Sequence, residues 1–86
     1  MTEMEKQIRQ FILKALLAAK GSPLPDSSLR DAIKAAFPHV AFSAGDLGEH
    51  IKDAEDFSFI AGTNDEVFGM MWALTPKGKI RAQQLR

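Results

Sequence analysis

Residues 43–74 read SAGDLGEHIKDAEDFSFIAGTNDEVFGMMWAL. Ser43-Ala44-Gly45-Asp46 fits the S-x-x-D form of a capping box, which opens a helix. Leu47, Ile51 and Ala54 then fall on one inward face. At 100° per residue the opposite face carries Gly45, Asp46, Glu49, Lys52, Asp53 and Asp56. Two glycines, Gly45 and Gly48, weaken this helix by roughly 1 kcal/mol each relative to alanine, so tertiary contacts must hold it. Phe57-Ser58-Phe59-Ile60-Ala61 reads as a strand and Val67 to Leu74 as its partner. Gly62-Thr63-Asn64-Asp65-Glu66 supplies the turn chemistry between them. Period-two alternation puts Phe68, Met70, Trp72 and Leu74 on one face of the hairpin. Ile60, Met71 and Ala73 fall on the other.

Upstream, Met4, Ile8, Phe11, Ile12, Ala15, Leu16 and Ala19 recur at three- and four-residue spacing. That pattern predicts an amphipathic helix from Glu3 to Lys20, capped by Thr2 and stopped by Gly21. Gly21-Ser22-Pro23-Leu24-Pro25 breaks the chain, and Leu24 is expected to turn its side chain back onto the core. Asp26, Ser27 or Ser28 caps a second helix with Leu29, Ile33 and Ala36 inward, ended by Phe37-Pro38. Val40 and Phe42 of the following turn face the core. Downstream, Thr75-Pro76 is an N-cap with proline at the first helical position. It predicts a short last helix over Lys77 to Leu85, with Ile80 and either Gln84 or Leu85 inward.

Composition bounds the possibilities. The 86 residues fit one domain spanning 1–86, with a modest core and no internal repeat. No cysteine is present, which removes disulfides and thiolate metal sites. The longest apolar run, Ala15 to Ala19, is far short of the ~20 residues of a membrane span. Glu3, Glu5, Lys6 and Arg9 interrupt the N-terminal pattern, unlike a secretory signal. A cytoplasmic location is the expectation. Net charge is zero, from 11 bases and 11 acids, but it is unevenly spread. Residues 1–42 hold six bases and four acids (+2), 43–66 one base and seven acids (−6), and 67–86 four bases and no acid (+4). The central block sets the local field whatever the total says.

Three helices, a two-stranded β-hairpin and a short terminal helix give an α+β class, mostly α. That order resembles a winged helix-turn-helix. The segment Ala73-Leu74-Thr75-Pro76-Lys77-Gly78-Lys79 resembles the leucine-threonine-proline-x-glycine step that follows the wing in many bacterial regulators of this kind. The resemblance implies that the third helix enters the DNA major groove and the wing tip, Thr63 to Glu66, follows the backbone. The residues at those positions oppose that use. Asp46, Glu49, Asp53 and Asp56 outnumber Lys52 on the helix face, whereas phosphate binding needs Lys and Arg.

The expectation is therefore a non-enzymatic protein-interaction module. Its contacts would be Asp46, Glu49, Lys52 and Asp53 on the acidic helix, with Ile60 and Met71 on an apolar sheet face. The partner would be a basic protein or a second copy, since the −6 and +4 segments could pair between chains. The alternative is DNA binding through a basic face of Lys52, Lys77, Lys79, Arg81 and Arg86. His50 with Asp46 and Asp53 lacks metal-binding spacing, and no metal is expected. The serines are accounted for as loop, cap or strand residues, no Gly-Lys-Ser/Thr phosphate loop is present, and no cofactor is expected.

Overall fold

The structure, a computed structural model, describes residues 2–85, and Ala44 by its backbone only. In chain order it forms α1 (Glu3–Ala18), β1 (Leu24–Pro25), α2 (Asp26–Ala36), α3 (Ala44–Asp56), β2 (Ile60–Asp65), β3 (Gly69–Leu74) and α4 (Pro76–Gln84). The class is α+β and mostly helical, with a three-stranded antiparallel sheet in the order β1-β3-β2.

Local signals set the helices. Thr2 accepts the Glu5 backbone N–H at 3.1 Å and starts α1. The helix stops two residues earlier than predicted, because Lys20 adopts a left-handed φ of 55° that no right-handed helix admits. Both halves of the capping box form at α3: Ser43 Oγ accepts from Asp46 N, and Asp46 Oδ2 accepts from Ser43 N, each at 3.1 Å. The start of α2 differs from prediction. Pro25 stands at its N-cap and gives no side-chain bond, and Ala36 at its end is exposed. Asp26, freed from capping, accepts from Arg30 Nε at 2.7 Å and from Trp72 Nε1 at 2.9 Å. One carboxylate thus ties the second helix to the middle of the sheet.

The hairpin departs most from the sequence reading. Ser58 takes φ 63°, its N–H reaches Glu55 O at 2.8 Å, and the Phe59 N–H reaches Ala54 O at 3.1 Å. This is a Schellman ending of α3 with serine where glycine usually stands. Residues 57–59 are therefore helix terminus, not strand. The residues predicted as turn, Gly62 to Asp65, pair in β2 instead, and the chain reverses over Glu66, Val67 and Phe68. Register pairs Ile60 with Leu74, Gly62 with Trp72 and Asn64 with Met70. Ile60 consequently shares the inward face with Trp72 and is 1% exposed, so it is not part of an open apolar sheet face. Phe68 leaves the strand and is 63% exposed. The sheet also has a third strand: Leu24 and Pro25 pair with Trp72 and Met71, and Met71 stays partly exposed.

Thr75 caps α4, accepting the Gly78 N–H at 3.0 Å. The helix turns Gly78 and Ala82 inward, leaving Ile80 61% exposed, the reverse of its predicted side. The cause is the close seating of Gly78 on the Phe59 carbonyl, which admits no side chain there. Ile8, Ile12, Leu13 and Leu16 make α1 the centre of the core, against Leu29, Ile33, Leu47, Ile51 and Ile60. Each of these buried aliphatic side chains contributes about 1.5–3 kcal/mol.

Candidate functional site

Three surface regions carry chemistry. The first is the outer face of α3. Asp46, Glu49 and Lys52 are exposed there, as are Glu55 and Asp56. Asp53 stands apart, because Arg9 Nη2 of α1 lies 3.9 Å from its Oδ2. His50, expected beside these acids, turns partly inward and meets the Phe42 ring edge-on at 6.2 Å. The capping bonds from Ser43, aided by His50, hold the Asp46 carboxyl below its ordinary value.

The second is the hairpin tip. Asp65 Oδ1 accepts the N–H groups of Phe68 at 3.0 Å and Val67 at 2.8 Å. Those bonds stabilise the charged carboxylate and lower the Asp65 pKa. They also fix the turn that carries Glu66, Val67 and Phe68 outward, with Val67 81% exposed. Sequence reading placed the tip at Thr63 to Glu66 and missed its apolar crown. The Asp65-x-x-Phe68 spacing is an Asx-turn signal that could have located it.

A depressed folded pKa has a definite consequence for acid stability. The unfolded carboxyl titrates near 3.8, and the folded one lower. The Asp65 contribution is therefore complete above the unfolded value and disappears as pH falls through the folded one. Asp65→Ala is expected to lower the urea midpoint near pH 7 and to lower it less near pH 3. Equal differences at both pH values would show that the charge has no part in holding the turn.

The third region is a cleft of about 240 Å³ between α1, the α3–β2 junction and α4. Lys6 and Arg9 come from α1, Phe57 and Phe59 from the junction, and Arg81 from α4. The two rings stack, with centroids 5.8 Å apart and planes 17° from parallel. Arg9 places its guanidinium 4.5 Å from the Phe57 ring centre. Lys77 lies 5.1 Å from the Phe59 ring and donates to the Phe57 carbonyl at 2.8 Å. Arg9 Nε is buried with no acceptor among the described residues. Lys6, Arg9 and Leu13 share one side of α1 by helical spacing. No local signal in the sequence says which element that side meets.

Of the basic residues expected to form one face, Lys77 packs on the Phe59 ring of the cleft just described. Arg81 lines the same cleft, whereas Lys79 lines a separate hollow of about 580 Å³ with Lys20, Leu17 and Leu74. Lys52 borders neither, and Arg86 lies outside the described residues. Among the described residues, no three His, Asp or Glu side chains gather where they could hold a metal ion. Among the described residues, no helix is long and apolar enough to cross a membrane. Comparison with protein-family models, with curated proteins and with solved structures gave no match.

Proposed function

We infer that this chain is a winged helix-turn-helix domain working as a non-enzymatic protein-interaction module, with the outer face of α3 meeting a basic partner. The order of helices, the hairpin directly after α3 and the Leu74-Thr75-Pro76-Lys77-Gly78 step into α4 support the fold assignment. The charge on α3 carries the functional one. Asp46, Glu49 and Asp56 are exposed on the surface that a DNA-binding relative would insert into the major groove, with Lys52 the one cation among them. The hairpin turn adds Asp65 and Glu66 and no cation.

Magnitudes favour exclusion of nucleic acid. Phosphate neutralisation supplies essentially all non-specific DNA affinity, ~5–8 kcal/mol at physiological salt. A like-charge pair at contact costs about 1 kcal/mol in water and several times that near a protein surface. A handful of carboxylates facing phosphate therefore offsets the whole term.

The test is a pair of titrations at low salt. A Lys/Arg-rich peptide is expected to bind with a salt-dependent Kd that rises at least tenfold in Asp46→Asn/Glu49→Gln/Asp53→Asn. Mixed-sequence duplex DNA is expected not to bind. Tight, salt-dependent binding of the duplex would overturn the reading in favour of a DNA regulator.

A further inference from the structure

We propose that the cationic cleft between α1 and α4 receives the hairpin tip of a second copy of this chain, so that molecules associate head to tail. The two surfaces are complementary in both charge and polarity. The cleft presents Lys6, Arg9 and Arg81 around the stacked rings of Phe57 and Phe59. The tip presents the carboxylates of Asp65 and Glu66 beside Val67 and Phe68, 81% and 63% exposed. Among the described residues, Val67, Phe68 and Ile80 are the most exposed large apolar side chains, and two of these three sit together at one turn.

Size selects the kind of occupant. A cleft of about 240 Å³ is smaller than the ~300–1,000 Å³ usual for small-molecule sites, but it accommodates an aromatic side chain. Phe68 would lie against the two rings, and Glu66 would meet Arg9 and Arg81. Arg9 Nε, buried without an acceptor, gains one from a visiting carboxylate after a small turn of the guanidinium. The tip is also prepared for insertion. Asp65 holds the Val67 and Phe68 backbone in place, so little ordering is left to occur on docking.

Geometry excludes the molecule's own tip. Phe59 precedes β2 and the tip follows it; six residues of strand separate them by roughly 20 Å. The contact is therefore between molecules and joins two different surfaces. Such heterologous contacts close into rings or run on as open chains, unlike a two-fold dimer. A hairpin tip in a cleft buries less than the ~1,200 Å² of a standard interface, so the association expected is weak and transient. The proposal shares only Arg9, paired at 3.9 Å with Asp53, with the acidic face of α3, and its failure would leave the peptide and DNA titrations unaffected.

Sedimentation velocity on the whole chain tests it, with far-UV circular dichroism to confirm that each variant is folded. Wild type is expected to pass from monomer to species larger than dimer as concentration rises to about 1 mM at low salt, and to return to monomer at high salt. Phe68→Ser, which keeps the cleft, and Arg81→Glu, which keeps the tip, are each expected to weaken association at least tenfold. Mixed in equal amounts, they are expected to form a 1:1 dimer that grows no further, because only one intact tip and one intact cleft can meet. Wild type that stays monomeric at 1 mM, Phe68→Ser that associates like wild type, or a mixture that stays monomeric would each overturn the proposal. So would binding of an acidic Phe-containing peptide to a chain that does not self-associate, which would assign the cleft to a segment of another protein.

Discussion

Gly78→Ala is expected to destabilise the domain by about 3 kcal/mol or more, although alanine is the better helix former. A Cβ at this position would lie 1.8 Å from the Phe59 carbonyl oxygen and 2.7 Å from its carbon. Both are backbone atoms, held because that carbonyl also accepts the Thr75 N–H at 3.0 Å. Neither side can yield by a rotamer change, so α4 must lift as a unit. Lifting strains the Thr75 cap, whose hydroxyl lies 2.5 Å from the Ser58 carbonyl oxygen, and each bond lost there costs about 1 kcal/mol. The propensity gain of roughly 1 kcal/mol from glycine to alanine is too small to compensate. A domain of this size holds only ~4–13 kcal/mol in total. Urea unfolding followed by Trp72 fluorescence measures the loss directly, since Trp72 is the sole tryptophan. A midpoint equal to wild type or higher would mean that α4 does not seat on Phe59 this closely. Because Arg81 and Phe59 line the same cleft, the variant is also expected to lose head-to-tail association.

Trp72→Ala is expected to cost about 3–5 kcal/mol, the range for removing a buried aromatic side chain. Trp72 is 7% exposed in the central strand, paired with Leu24 on one side and Gly62 on the other. The space over its ring is filled closely. A Cβ on Gly62 would come within 2.9 Å of the indole and 2.8 Å of Met70 Sδ, so glycine makes room for the tryptophan. The indole N–H donates to Asp26, which also holds Arg30. Removing the side chain empties the junction where β1, α2 and the hairpin meet, and the backbone cannot collapse to fill it. Trp72→Phe separates packing from hydrogen bonding. It keeps most of the ring and loses the N–H, so it is expected to cost about 1–2 kcal/mol, because Asp26, 29% exposed, can turn to water. Urea titration by far-UV circular dichroism compares the two. Equal losses in both variants would place the stabilising contribution in the Asp26 bond and not in the packing.

These two sites also divide what the chain announces locally from what it conceals. The helix starts at Thr2, Ser43 and Thr75 were legible because a cap and its partner lie within three residues of each other. The inward residues Leu47, Ile51 and Ala54 followed from periodicity alone. The hairpin existed in the sequence, but its register did not. Ser58 adopts a conformation that usually advertises itself as glycine, and that one residue moved the strand start, the turn and the inward face together. Hence Ile60 is buried and Phe68 exposed, opposite to the faces that period-two alternation gave them. The strand formed by Leu24 and Pro25 was hidden because its partners, Trp72 and Met71, lie more than 40 residues away.

By itself, then, the sequence determined where the helices begin, which faces of α1 and α3 are apolar, and that the middle of the chain is acidic. Those properties depend on neighbours within one or two helical turns. Tertiary structure alone decided that Gly78 and not Ile80 faces inward, and that Lys6, Arg9, Phe57, Phe59 and Arg81 border one cleft. Both depend on α4 returning to α1 and the α3–β2 junction across most of the chain, a contact fixed by how closely two backbones can approach.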